Sequence, residues 1–275
     1  MCKVLKITEA GYYRWLKNSE KPSKRTLLTV EINRIINEAP ENKNYGIERV
    51  KTALEQKGKK FSRSTIYRSM KESGLLHKPA RPHGITKVSK EEQETENIIK
   101  QDFTAKEPMK KLLSDITEVT CKDGKLYISA VLDCFDGSIT ALEIRENMRK
   151  ELCVDTIQQL RQRYGSLKDT ILHTDRGSQY TSDLFRSTLS KYKMIQSLSS
   201  TGKCYDNARM ESFFATLKKE KLYQLPTNQM SRKEVKTVVY RYIFGYYNTV
   251  RVNSFNPGGL PPLVYRKMYE KELAA

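Results

Sequence analysis

Three acidic residues, Asp115, Asp175 and Glu211, and one lysine, Lys218, stand out in this 275-residue chain as a set that could act on a phosphodiester. Cleaving or exchanging that bond needs an in-line nucleophile and stabilisation of charge on the entering and leaving oxygens. Two divalent ions ~3.5–4 Å apart supply both. Hard ions such as Mg²⁺ prefer carboxylate oxygens and water, so three acidic side chains converging on one point suffice to hold them. Lys218 follows Glu211 by about two helical turns, which returns it to the same helix face within ~20° and lets a cation meet a phosphate beside the metals. Taken singly, each acid has an ordinary alternative: a strand-surface residue for Asp115, a turn or cap residue for Asp175, a solvated helix residue for Glu211.

The elements around them give the set its meaning. From residue 111 the pattern turns to strands: KLLSDITEVTC, a Lys-Asp-Gly turn, LYISAVLDCF, an Asp-Gly turn, and SITALEIR, joined as consecutive hairpins. The middle strand is almost continuously apolar, as a strand buried on both faces should be. A helix is expected over 150–164, with Leu152, Ile157 and Leu160 inward and Gly165 at its end. TILHTD (170–175) is a buried strand that ends in the polar turn RGSQ. A short helix near 182–191, a short strand near 195–199, the loop TGKCYD and a helix from about 206 follow. Asp115 then sits inside the first strand, Asp175 at the end of the strand beside it, and Glu211 one turn into the last helix. Asp206 is the expected N-cap of that helix.

Residues 26–76 read as helices. Leu28, Ile32, Ile35 and Ile36 mark one apolar face, and Ile47, Val50 and Leu54 a second that stops at Gly58. Ser62 is the expected N-cap of a third, with Ile66 and Met70 inward and Gly74 at its end. Two short helices joined by a tight turn fit a helix-turn-helix, leaving Arg63, Ser64, Tyr67, Arg68 and Lys71 exposed to enter a major groove. A purely structural bundle with a solvated charged face fits this segment equally well. Ser231 and Glu234 form a capping box for a later helix with an apolar face at Val235, Val238, Tyr242 and Tyr246. The tail PGGLPPLVY reads as turn and extended chain.

Charge points the same way. The net formal charge is +18, and residues 1–90 carry 21 Lys+Arg against 8 Asp+Glu. A module this basic suits a polyanion, and nucleic acid is the usual one. No apolar stretch reaches the ~20 residues of a membrane span, and the start lacks a signal-peptide core. A cytoplasmic location is therefore expected. Five scattered cysteines without a C-x-x-C pair, and His77 and His83 without a neighbouring cysteine pair, argue against a zinc module.

The strings HTDRGSQYTS (173–182) and TGKCYDNARMESFFATLKKE (201–220) closely resemble the catalytic blocks of bacterial insertion-sequence transposases, within them the second-frame subunit of two-frame elements. Residues 44–76 resemble that family's helix-turn-helix block, LSDIT its first-aspartate strand, and YYNTVRVNS its C-terminal Tyr-Asn-x-x-Arg block. The resemblance implies an α/β fold: a ribonuclease H-like, integrase-like core with a mixed sheet, preceded by an all-α helix-turn-helix module. The expected division is residues 1–80 for DNA binding, 81–105 as linker, 106–225 as core, and 226–275 as a C-terminal helix and tail.

It implies two Mg²⁺ (or Mn²⁺) ions held by Asp115, Asp175 and Glu211, with Lys218 on DNA. It further implies hydrolytic nicking at element ends, then transfer of the 3′-hydroxyl to double-stranded target DNA within a homo-oligomeric synaptic complex. Asn207 and Arg251 are further expected DNA contacts. His173, which shares a strand side with Asp175, is expected to steady a carboxylate or phosphate, unless it is simply packed. Gly177 and Gln179 belong to a turn whose N–H groups could meet phosphate. Where the family usually continues Arg-Pro-His, this chain has Arg251, Val252 and Asn253. The opening segment CKVLKITEAGYYRWLK tends to follow additional sequence in relatives, so the expectation is either a shortened copy or dependence on an upstream-frame subunit or fusion, which would supply a further helix-turn-helix and a coiled coil. The competing expectations are a catalytically silent derivative that represses by occupying element ends, and a structure-specific nuclease on the same fold.

Overall fold

A computed structural model describes residues 7–19, 23–76, 97–200 and 204–274. Most of the expected linker, together with His77, His83 and residues 201–203 of the TGKCYD loop, lies outside the described residues. The chain divides into two compact units, residues 1–79 and 80–275.

The first unit is helical: α1 (Glu9–Ser19), α2 (Lys24–Asn37), α3 (Ile47–Gln56) and α4 (Arg63–Glu72). Hydroxyl caps start two of them, with Ser23 accepting from the Thr26 N–H and Ser62 from the Thr65 N–H, each satisfying an orphan donor of the first turn. Gly58 and Gly74 follow α3 and α4 with φ of 72° and 69°, the left-handed conformation that closes a helix at low cost in glycine. Leu28, Ile32, Ile35, Val50, Leu54, Ile66 and Met70 form the core. A Thr29–Ser69 hydroxyl bond of 2.8 Å joins α2 to α4 inside it.

The second unit is built on a five-stranded mixed sheet: β1 (Lys111–Cys121), β2 (Gly124–Asp133), β3 (Ile139–Arg145), β4 (Ile171–Thr174) and β5 (Ile195–Leu198). The spatial order is β3-β2-β1-β4-β5. The two hairpins pair antiparallel, whereas β1–β4 and β4–β5 are parallel. Helices α5 (Lys150–Tyr164) and α6 (Asp183–Lys191) supply the crossovers that parallel pairing needs. Their apolar sides, through Ile157, Leu160, Phe185 and Leu189, pack with Leu112, Val131 and Leu172 of the sheet. Helix α7 (Ala208–Glu220) follows a 3₁₀ turn at Cys204–Asn207 and packs along β1. Three antiparallel strands followed by α-β-α-β-α is the order of elements expected from the sequence.

Two expectations fail near the C-terminus. Helix α8 (Arg232–Tyr240) has the anticipated Ser231–Glu234 capping box, but it continues as a π-helical segment, Arg241–Tyr247. The buried face keeps the helical period but takes Val239, four residues after Val235, rather than Val238. It continues through Tyr242, Ile243 and Tyr246, and in the segment with wider i→i+5 turns it also takes in Tyr247. The tail is not extended. After a 3₁₀ turn at Pro257–Gly259 it forms α9 (Pro262–Ala274). Pro262 opens that helix, where the missing N–H has no intrahelical acceptor to lose.

Candidate active site

The parallel register of β1 and β4 brings two aspartates together. Leu113 is the last residue of β1 paired with β4, opposite His173. Asp115 and Asp175 each lie two residues further, on the same side of neighbouring strands. Glu211 arrives from the first turn of α7. Asp115, Glu211 and Lys218 line one open cleft of about 320 Å³, together with Thr117, Phe214, Lys219 and Tyr223. Asp175 is not in its wall, yet its charge acts on Asp115.

Asp115 carries most of the electrostatic tension. Burial pushes its carboxyl up to about 7; the Ile116 N–H opposes this, Asp175 and Glu211 add to it, and Lys218 offsets part of it. Burial also raises Glu211. Asp115 Oδ1 accepts the Ile116 N–H at 2.8 Å, and Asp175 Oδ1 the Gly177 N–H at 3.0 Å. Among the described residues, no cation lies within ion-pair distance of any of the three. No three His, Cys, Asp or Glu side chains among the described residues form a ready-made metal cluster either. The donor set nonetheless fits a hard divalent ion. It offers only carboxylate oxygens, and the mutual repulsion that raises Asp115 is what a cation relieves.

A buried polar node that sequence reasoning missed fixes the segments carrying the three acids. Ser114, next to Asp115, bonds through its hydroxyl to Tyr180 at 3.1 Å, on the chain that continues from Asp175. The Ser114 carbonyl accepts the Asn207 side-chain amide at 3.3 Å, at the start of the helix carrying Glu211. All three residues are at least nine-tenths buried. Burial of this kind requires partners, yet Asn207 Oδ1 has none. Asn207, expected on DNA, is therefore engaged inward here.

Asp206 is not the helix cap. The preceding 3₁₀ turn rotates it inside, where it accepts from Asn97, Gln101 and the Ser200 N–H at 2.8–2.9 Å. His173 does not reach a carboxylate or phosphate: its ring nitrogens bond Ser197 and Ser199 at 2.8 and 3.0 Å. Burial lowers its pKa to about 4, so it is a neutral packed imidazole. The Gly177 N–H is taken by Asp175, and a Cβ there would stand 3.1 Å from the same oxygen. The Gln179 side chain holds the Met148 carbonyl at 3.0 Å.

Arg251 requires a correction. Its guanidinium grips Glu220 with two bonds of 2.9 Å, and Tyr242 donates to the same carboxylate at 2.8 Å. Side chains 10% and 9% exposed leave this pair no reach to DNA. The block around it is structural. Asn248 exchanges two bonds with the Ile139 backbone, and Asn253 donates to the Asp136 carbonyl. Nearby, Arg266 of α9 donates to Asp133 and Asp136 at 2.6 Å each. An aspartate closing a strand as apolar as β2 was the available signal, because a buried acid demands a buried partner.

In the helical unit, Arg63, Ser64, Tyr67, Arg68 and Lys71 are all exposed on α4. Arg63 pairs with Glu48 at 2.6 Å on the surface.

The chain is similar in sequence to known proteins. The family described as "Integrase core domain" matches residues 105–204, and a second of the same description matches residues 192–254. Transposase InsF for insertion sequence IS3A from Escherichia coli (strain K12) is 31% identical over 272 residues, covering 95% of this chain and 91% of that one. A 31 kDa protein of insertion element IS600 from Shigella sonnei is 30% identical over 275 residues, the whole of both chains. The HTLV-2 integrase catalytic core domain in complex with magnesium superposes with a TM-score of 0.46 at 15% identity, covering 59% of this chain and 99% of that one. By sequence, this chain belongs to the insertion-sequence transposases with an integrase core.

Proposed function

We propose that this transposase nicks DNA at the ends of its element and joins each freed 3′-hydroxyl to a second phosphodiester, using Asp115, Asp175 and Glu211 with two Mg²⁺ (or Mn²⁺). The observation that carries this reading is the crowding of buried Asp115 by Asp175 and Glu211 with no cation in ion-pair distance among the described residues. Bound divalent ions would activate the attacking oxygen and neutralise charge on the leaving one. The chain's own residues do the rest. The carboxylates fix where the phosphodiester sits, and Lys218 holds a neighbouring phosphate on the same helix face. The buried Ser114–Tyr180–Asn207 node keeps the three acid-bearing segments in register, as in-line geometry demands. In the joining step one P–O bond forms as another breaks, so neither a covalent protein intermediate nor an energy-rich cofactor is needed.

The basic helical unit would dock the element end through Arg63, Tyr67, Arg68 and Lys71. The working form would be a homo-oligomer that pairs two ends, with an upstream-frame partner where the element encodes one. Among the described residues no helix is long and apolar enough to cross a membrane, and the cytoplasm is the proposed location.

The test is strand transfer in vitro with purified protein, Mg²⁺ and labelled DNA carrying the element's ends. Nicked and joined products are expected from the wild type, and none from Asp175→Ala, which should still bind. Wild-type binding without nicking or joining would sink the catalytic reading in favour of a silent, end-occupying derivative.

A further inference from the structure

The cleft beside the carboxylates has a far end that catalysis by metal does not use. Along α7 the wall runs from Glu211 to Lys218 and Lys219, and the chain then turns at Leu222–Gln224. Leu222 anchors that turn, 2% exposed, so Tyr223 is turned out and stands 74% exposed at the cleft. The turn is held by the Leu225 N–H on the Leu222 carbonyl and by the Gln224 side-chain amide on the Lys219 carbonyl. Among the described residues Tyr223 enters no ring–ring or cation–π contact, so a large π-face stands open beside Lys218 and Lys219 in the wall of the carboxylate cleft.

From these observations we propose that Tyr223 is a stacking platform for an unpaired nucleobase of the DNA strand in the cleft. This rests on the reading of the cleft as a DNA site. The order of chemistries along the wall matches a nucleotide chain: carboxylates for metal at the reacting phosphate, ammonium groups for the next phosphates, and a π-face for a base. Every base has a π-face, so such a platform tolerates sequence while fixing the strand's path. About nine helix steps of ~1.5 Å separate Glu211 from the end of α7. At ~3.4 Å per nucleotide of a stacked strand, the end of α7, three residues before Tyr223, lies about four nucleotides from the reacting phosphate, and the base on Tyr223 follows just beyond it. Tyr223 is thus a positioning and binding residue, not a catalytic one.

The experiment uses the full chain without added divalent metal and a short oligothymidylate carrying one central 2-aminopurine. Stacking of the 2-aminopurine should quench its fluorescence. The wild type should bind and quench; Tyr223→Ala should bind about 5- to 150-fold more weakly without quenching; Tyr223→Phe and Tyr223→Trp should retain both. An unchanged melting temperature for Tyr223→Ala, expected of a side chain this exposed, separates lost stacking from misfolding. Equal binding and quenching by Tyr223→Ala and wild type would overturn the proposal. So would absent quenching in the wild type, or Tyr223→Phe and Tyr223→Trp failing like Tyr223→Ala. The two readings fail separately. Quenching without strand transfer in Mg²⁺ would count against the catalytic reading alone, and strand transfer that ignores Tyr223 against the platform alone.

Discussion

Two groups of carboxylates in the same unit meet opposite fates. Asp133, Asp136 and Glu220 are buried and each is gripped by a guanidinium, from Arg266 or Arg251. Asp115, Asp175 and Glu211 have no such partner among the described residues; burial first, then the charges of Asp175 and Glu211, push Asp115 up to about 7. Breaking a buried ion pair leaves an uncompensated charge, so the first group serves the fold. The second group keeps its repulsion only partly offset, by Lys218, the pattern of a site built to bind something. The charge balance around an acid therefore says more about its role than its burial does.

Removing a cation from the paired group should do the most damage to the fold. Arg266→Ala strands two buried carboxylates and should cost about 3–5 kcal/mol, a fall in melting temperature of roughly 10 °C by calorimetry. An unchanged transition would erase the distinction drawn above. Arg251→Ala leaves Glu220 and Tyr242 without their cation and should cost about 3 kcal/mol, while the salt dependence of DNA binding by the folded protein stays as in wild type. A salt slope reduced by about one would instead return Arg251 to the DNA contacts.

Asp115→Asn should move stability the other way. An ordinary aspartate loses its proton near pH 4 in the unfolded chain, whereas folded Asp115 keeps it to about pH 7. Between those values the folded state binds the extra proton, so this group's contribution is intact below about pH 4 and lost as pH rises through about 7. The substitution should therefore be neutral at low pH and stabilise the metal-free protein by about 1–3 kcal/mol above pH 7, measured by urea unfolding. Mg²⁺ should stabilise the wild type more than the variant; a Mg²⁺ response equal in both would break the metal assignment. The smallest effect is expected at Lys218, where Lys218→Ala should lower the salt slope of DNA binding by about one phosphate's worth. No change in slope would remove Lys218 from the phosphate contacts.

Much of this was legible in the residues because it is local. Hydroxyl caps at Ser62 and Ser231, glycines past helix ends, and the near-continuous apolar run of β2 follow from backbone chemistry within a few positions. The succession of elements and the placing of β4 beside β1 were legible too, since two hairpins followed by crossovers allow few alternatives. The readings that stayed open or went astray share a cause. Arg251, Asn207 and His173 carry polar groups that suit DNA and packing equally, and what decides between them is a partner far along the chain: Glu220, Ser114 or Ser197, which for His173 selects the packed alternative. The π-helical segment and α9 were misread because a regular period and two prolines describe a segment only until tertiary packing overrides them.

The sequence alone determined that three carboxylates and a lysine fall on a strand, a strand end and one helix face, and that the N-terminal part is basic. It could not decide which acids are paired and which stand open, because burial and long-range partners set the charge balance at each site. Only the folded sheet, with Arg266 and Arg251 turned to one set of acids and, among the described residues, none to the other, made that distinction.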